Sequence, residues 1–414
     1  MGIAVFNSQS GWYLRYIKFV LLVTVLPALF LNTPARAGEG VFLLGNDALQ
    51  LGRASSGVAS PRSAYWSYMN PASMVDLERR FDINWYSVFS KVTFEPRGVL
   101  GNHINDKLVS DEIFHIVSTG VVWPLESATL GGGVFIPSGA GVEYPYSRNI
   151  FSRLFQGNQD RRLSYQHIRG VLAYARKFDN GWAVGLGLHL SLSRFRSDHI
   201  TLRALPARYG NQWDGAYGAG LGVGIYRRWE RFAVGANYSS RHWTESMKKY
   251  DDLLSYTLDT PRVAQAGIAY KITPEIEVTL DYKWLNWKKI GTYGSPIFGG
   301  GGFGWKDQHG VKFGVEWVAS PKWTFMGGYA YSNAPITKDN VFLAALVPVI
   351  TEEHVTAGVS HRINAKHQLH LVGIYAPPHK MRDTGRGDLF SKLGRGSTIK
   401  SNGFSAVLGY SYLW

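Results

Sequence analysis

The chain has 414 residues, 44 Lys and Arg against 30 Asp and Glu for a formal charge of +14, and no cysteine. The lack of thiols excludes a disulfide scaffold, a thiolate zinc site and a cysteine nucleophile. Aromatic residues at 14% beside charged residues at 18% exclude a disordered chain, and together with 47 glycines they suit the transmembrane β-barrel, whose strands alternate lipid-facing and lumen-facing residues.

The N-terminus reads as an export signal. Arg15 and Lys18 precede the apolar run Phe19 to Leu31, and Thr33-Pro34-Ala35-Arg36-Ala37 ends in an A-x-A site. Residues 1–37 are therefore expected to be a signal peptide cleaved after Ala37. The run carries Pro27 and is too short for a helix to cross about 30 Å of hydrocarbon. No later segment reaches the length of an apolar spanning helix, so the mature chain is either soluble outside the inner membrane or a barrel in the outer one. Export also removes nucleic acid as a partner for the basic surplus and favours anionic lipopolysaccharide.

Residues 38–80 are rich in small residues and do not alternate. From 81 onward period-two alternation predicts fourteen strands, near 81–94, 111–123, 129–138, 163–178, 181–197, 213–229, 231–240, 261–272, 275–287, 308–319, 322–332, 353–363, 366–376 and 402–414. Each even-numbered strand before the last ends in a tight turn, for example Asp179-Asn180-Gly181, Thr273-Pro274 or Ser320-Pro321. Each odd-numbered strand is followed by a long link. Short turns at one end, long loops at the other and an even strand number are the pattern of an outer-membrane barrel. The third strand, Leu130 to Gly141, contains Pro137, Gly139 and Gly141. Proline cannot donate to a ladder and glycine permits a bend, so the strand either kinks there or ends at Pro137.

The last strand places Phe404, Ala406, Leu408, Tyr410, Tyr412 and Trp414 on one face and Ser405, Gly409 and Ser411 on the other. The first face suits lipid and the second a lumen. His361, His367 and His370 are the closest histidine cluster. Two of them flank a short turn, His370 points inward, and the cluster reads as polar surface rather than a metal site. Gly218, Gly220, Gly222 and Gly224 lack the G-K-[ST] of a phosphate loop and read as small residues along a strand. No G-x-S-x-G element supports a hydrolase, so no enzyme, cofactor or metal is expected.

The segment before the first strand carries Leu51-Gly52-Arg53-Ala54 and then Asn70-Pro71-Ala72. Further on come Gly210-Asn211-Gln212-Trp213, Trp284-Leu285-Asn286-Trp287, Trp305-Lys306-Asp307 and Trp323-Thr324-Phe325. Taken in order, these resemble the long-chain fatty-acid transporter family (the FadL type) across nearly all the mature chain. The resemblance implies an all-β, fourteen-stranded barrel, residues 81–414, plugged by an N-terminal hatch, residues 38–80. It implies passive uptake of hydrophobic small molecules, with a pocket above the hatch and sideways exit through a kink in the third strand. A monomer folded by the barrel-assembly machinery is expected.

Residue by residue, the resemblance implies that Val41 and Phe42 supply apolar pocket contacts, and that Asn70, Pro71 and Ala72 face a lateral gate made by Pro137, Gly139 and Gly141. The family's two basic head-group positions fall on His199 and Gly301, neither of which is Arg or Lys. A nearby base such as Lys306, Arg194, Arg196 or Arg203 takes over, or the ligand lacks a carboxylate. Fatty acids and other hydrocarbons both remain open as cargo. A diffusion porin for polar solutes, an outer-membrane adhesin and a lipid-acting enzyme are the rival readings. The long loop 139–162, with aromatics among arginines, is read either as a capture surface or as a dock for lipopolysaccharide phosphates.

Overall fold

A computed structural model describes residues 38–101, 107–144, 161–198, 211–251, 253–296 and 300–414. The expected signal segment, residues 145–160 and residues 199–210, His199 among them, lie outside the described residues. Fourteen long strands follow one another. They are β1 Arg80–Glu95, β2 Leu108–Pro124, β3 Thr129–Tyr144, β4 Arg161–Lys177, β5 Trp182–Ser197, β6 Asp214–Arg228 and β7 Phe232–Ser239. Then come β8 Val263–Lys271, β9 Ile276–Leu285, β10 Gln308–Val318, β11 Trp323–Ser332, β12 Glu353–Arg362, β13 His367–Arg382 and β14 Thr398–Leu413. Each pairs antiparallel with its chain neighbours, and β1 pairs with β14 from Arg80↔Leu413 to Glu95↔Thr398, which closes the barrel. A two-residue strand, Trp243–Thr244, resumes the β7 side of β6 beyond a short interruption.

The predicted alternation is realised in the wall. Along β5, Val184, Leu186, Leu188 and Leu190 are exposed while Ala183, Gly185, Gly187 and His189 between them are buried. In β14 and at Trp414 just beyond it, Phe404, Leu408 and Trp414 are exposed, and Ser405, Gly409 and Ser411 are buried. Such an outer face suits hydrocarbon, because neighbouring strands pair their backbone groups and the side chains outside are apolar. Aromatic residues gather at the short-turn end, where the Arg79 guanidinium lies 3.0 Å from the Trp123 ring centroid and 5.0 Å from that of Trp414. Long loops join odd to even strands and short turns join even to odd, as expected.

Two strands outrun the prediction, both at prolines. β13 continues past Pro377 and Pro378 to Arg382 by a register shift between Ala376 and His379 against β14. β3 continues past Pro137 to Tyr144 by a shift between Phe135 and Ser138 against β4. In each case the strand carries one extra residue against its partner, a bulge that lets proline sit where no ladder N–H is needed.

The bore is filled. The N-terminal segment is buried almost throughout and bonds to opposite walls. Ala48 N donates to Asn84 Oδ1 of β1 (2.9 Å), Val58 N to Asp281 Oδ2 of β9 (2.9 Å) and Ala54 N to Thr356 Oγ1 of β12 (3.1 Å).

Candidate functional site

The wall has a break between β2 and β3. Their ladder runs only from Pro124↔Thr129 to Thr119↔Val134, although β2 goes on along β1 to Leu108 and β3 goes on along β4 to Tyr144. Beyond the last pair, a hydrogen bond from Glu143 N to Ser110 Oγ (3.0 Å) joins the two strands near the long-loop end. Between these limits β3 loses its alternation, and residues 135–142 are buried on both faces. The bulge at Ile136-Pro137 is the local cause, since it shifts the rest of β3 out of register with the wall.

The plug occupies the edge that β2 leaves. Phe42 bridges Ser138, with Leu43 N donating to Pro137 O (2.9 Å) and Gly139 N to Val41 O (2.8 Å). Asn46 then spans both strands. Its backbone oxygen accepts from Ser118 Oγ of β2 (2.5 Å), and its side-chain oxygen accepts from Ile136 N of β3 (2.7 Å). A tight bend between Glu39 and Phe42 presents this edge. It needs a left-handed residue at Gly40 (φ 67°), where a Cβ would also fall 2.7 Å from Trp287. Glu39, buried, is held by Lys283 of β9 and Lys312 of β10, the latter at 2.7 Å. The two ammonium groups overcome the cost of burial and hold its carboxyl at about 2, below the ordinary carboxylate range.

An apolar cavity of about 100 Å³ lies above this edge, lined by Val41 of the plug, Ala140 of β3, Tyr165 of β4, Phe195 of β5 and, from the inward-folded loops, Leu253, Leu254 and Leu258, Thr292 and Tyr293, Gly301–Phe303, and Leu343, Leu346 and Val347. Its outer support is an aromatic stack. Tyr293 and Trp305 are stacked at 4.7 Å, and Trp287 meets Trp305 edge-on at 5.3 Å and Phe42 at 5.6 Å. The two Trp-bearing motifs are tied together because Asp307 accepts from Asn286 Nδ2 (2.9 Å) and Lys288 N (2.9 Å).

The lower plug is fixed by charge and by missing side chains. Arg53 and Arg62 face Glu277 and Glu316, with Arg62 at 2.8 and 2.9 Å from the two carboxylates. Asn70 Nδ2 donates to Val58 O (3.0 Å) and to Ile225 O of β6 (3.2 Å). A Cβ on Gly224 would lie 2.1 Å from Asn70 Oδ1, and one on Gly185 would lie 2.2 Å from Ala72 N. The glycine stripe of β6 is thus the room into which plug and inner histidines fit, with Gly220 under His242 and Gly222 under His189.

The residues singled out from the sequence therefore separate into two groups. Pro137, Gly139 and Gly141, expected at the gate, all lie on the unladdered half of β3, whereas Asn70, Pro71 and Ala72 pack on β5 and β6 instead of facing the break. The face actually turned to it is Val41–Asn46, with Tyr65 edge-on to Phe135 at 5.0 Å. Val41 and Gly301 line the cavity, and Phe42 packs beside it on Trp287. Lys306 is exposed and makes no part of the lining, while Arg194 and Arg196 both stack on Trp213 at 4.6 Å. Arg203 and His199 lie outside the described residues. His370 points inward as expected, bonded to Ser360 Oγ (2.7 Å) and Ser411 Oγ (2.9 Å). Asn46 and Glu39 carried no signal in sequence, because their partners are more than seventy positions away.

No family model matches the chain. A long-chain fatty acid transport protein of Escherichia coli O6:H1 (strain CFT073) is 19% identical over 308 residues, 61% of this chain and 68% of that protein. Among solved structures, the toluene transporter TodX of Pseudomonas putida aligns with a TM-score of 0.67 at 13% identity, over 90% of this chain and 99% of that one. A FadL homologue of Pseudomonas aeruginosa gives 0.65 at 12% over 90% and 99%, and the toluene transporter TbuX of Ralstonia pickettii gives 0.64 at 15% over 90% and 99%. The fold is that of these FadL-type barrels, and the resemblance read from the sequence motifs is borne out.

Proposed function

We propose that the chain is a passive outer-membrane channel for hydrophobic compounds, which enter from the long-loop end, rest in the apolar cavity and leave sideways through the break between β2 and β3. The observation that carries this reading is the coincidence of three features at one level of the wall. The ladder stops, a plug edge sits in the gap, and an apolar cavity lies directly above, with Val41 and Ala140 common to edge and lining. An apolar molecule gains about 0.8 kcal/mol per CH₂ by staying out of water, so a route from cavity to bilayer core avoids the most costly step of uptake. The plugged bore disfavours an open porin for polar solutes. The relatives named above are transporters of a long-chain fatty acid and of toluene, and the same two cargo classes are the candidates here. No turnover chemistry is assigned.

The test is to shorten the bulge. Deleting Pro137 removes a residue from the stretch of β3 between Phe135 and Ser138 that stands out of register with β4, which lets the upper half of β3 rejoin β2. Uptake of radiolabelled toluene and decanoate is then measured in cells lacking other such channels. The deletion is expected to abolish uptake while the folded barrel still reaches the membrane in normal amount. Undiminished uptake through the resealed wall refutes the lateral route.

A further inference from the structure

Four cations are buried among the described residues: Arg53, Arg80, Arg169 and Lys312. Three are matched by carboxylates, Arg53 by Glu277 (3.8 Å), Arg80 by Asp82 (2.8 Å) and Lys312 by Glu39 (2.7 Å). Arg169 is the exception. It is 1% exposed, and its hydrogen-bond partners are neutral. Its Nη1 donates to Tyr68 Oη (2.8 Å), and its Nη2 reaches His167 Nε2 (3.1 Å) and Thr260 Oγ1 (3.2 Å). Among the described residues its Nε–H has no acceptor, and three further buried polar atoms of the inner wall, His189 Nε2, His242 Nδ1 and Ser191 Oγ, are likewise unbonded. A guanidinium out of water with no counter-charge among the described residues is strongly unfavourable, and one with its Nε–H still to give is suited to a carboxylate oxygen.

The position of Arg169 gives this charge a use. In the β3–β4 ladder Arg169 is the partner of Phe135, the first β3 residue beyond the last β2–β3 pair, so it lies at the lower lip of the break. Tyr165 is four residues nearer the long loops on the same inward face of β4, and it lines the apolar cavity. At about 3.3 Å per residue the two are roughly 13 Å apart, which suits a molecule with a body in the cavity and a head at the lip.

We propose that Arg169 binds the carboxylate of an acidic hydrophobic cargo, an aliphatic or aromatic acid whose apolar body occupies the cavity above. This rests on the channel reading and narrows it. The absence of a base at Gly301 and of any cation in the cavity lining among the described residues then follows, because the anchoring charge sits below the cavity at the exit.

The experiment is calorimetric titration of the purified barrel, in a detergent with an uncharged head group, with decanoate, 1-decanol and formate, for the wild type, Arg169→Met and Arg169→Lys. The wild type is expected to bind decanoate more tightly than decanol. Arg169→Met should weaken decanoate by about 10- to 100-fold, the range for hydrogen bonds to a charged group, and leave decanol unchanged, which also reports intact folding. Arg169→Lys should keep part of the preference, since the charge remains without the fork. If Arg169→Met does not fold, the wild-type preference and its partial loss in Arg169→Lys decide. Equal binding of decanoate and decanol by the wild type, or parallel loss of both in a folded variant, overturns the proposal. Formate binding that depends on Arg169 without decanoate binding assigns the site to a free small anion and overturns it too. A wild type that binds neither decanoate nor decanol refutes the channel reading itself.

Discussion

At the scale of single residues, the plug edge hangs on Glu39. Its carboxylate sits between Lys283 and Lys312, and Lys312 is wholly buried. Removing one member of a buried pair leaves the other charge uncompensated, at a cost of about 3–5 kcal/mol. Glu39→Gln is therefore expected to release the bend at Gly40 and the contact of Val41–Leu43 with β3. Single-channel recording in a planar bilayer should register this as frequent openings rare in the wild type. The pH dependence has a definite sign. The folded-state pKa is depressed from 4.5 to about 2, so the stabilisation is complete above about 4.5 and is lost as pH falls through about 2. Wild-type openings should thus stay rare from pH 7 down to about 4.5 and rise only in stronger acid, while Glu39→Gln should be insensitive to pH over that window. Openings that rise in the wild type between about pH 7 and 5 would contradict the assignment.

At the scale of elements, the strands were legible because two-sided burial writes itself into the sequence with period two, and turn residues mark the hairpins. All fourteen strands emerge from that signal alone. What alternation does not encode is how a strand is bent or what it faces inside. Pro137 reads equally as a kink and as a strand end, and the thirteenth strand is expected to stop at Ala376, whereas tertiary pairing with β4 and β14 carries both strands onward through bulges. The glycines of β5 and β6 read only as small, and their purpose needs the plug. Gly185 is pressed by backbone, the amide of Ala72, whereas Gly170 has nothing nearer than Leu190 O at 3.8 Å. Gly185→Ala is therefore expected to destabilise the barrel by about 1–3 kcal/mol, the range for overpacking, and Gly170→Ala to be nearly neutral. Thermal unfolding followed by the mobility difference of folded and unfolded barrel on gels checks this. Equal loss in both would mean that strand entropy, not plug contact, sets the cost.

At the scale of the whole molecule, plug and wall divide the labour between two solvents. The outer face of apolar side chains suits lipid, and the inner face of charged and small residues is covered by 38–79. The motif resemblance pointed to the plug and to residues such as Arg53, but the fit of Arg53 and Arg62 to Glu277 and Glu316 joins positions over two hundred apart and is visible only when the barrel closes. Those carboxylates, with Asp281 and Lys312, line a polar bore if the plug is taken away. Deleting residues 38–70 should then convert a protein of low conductance into one with a large, steady ionic current. A rise in current with retained uptake of apolar cargo would mean that the wall break works without the plug edge. A rise in current with lost uptake would mean that the edge at Val41–Asn46 takes part in handing cargo to the bilayer. An unchanged conductance would mean that the inward-folded loops around the apolar cavity, and not the N-terminal segment, are what stops the bore.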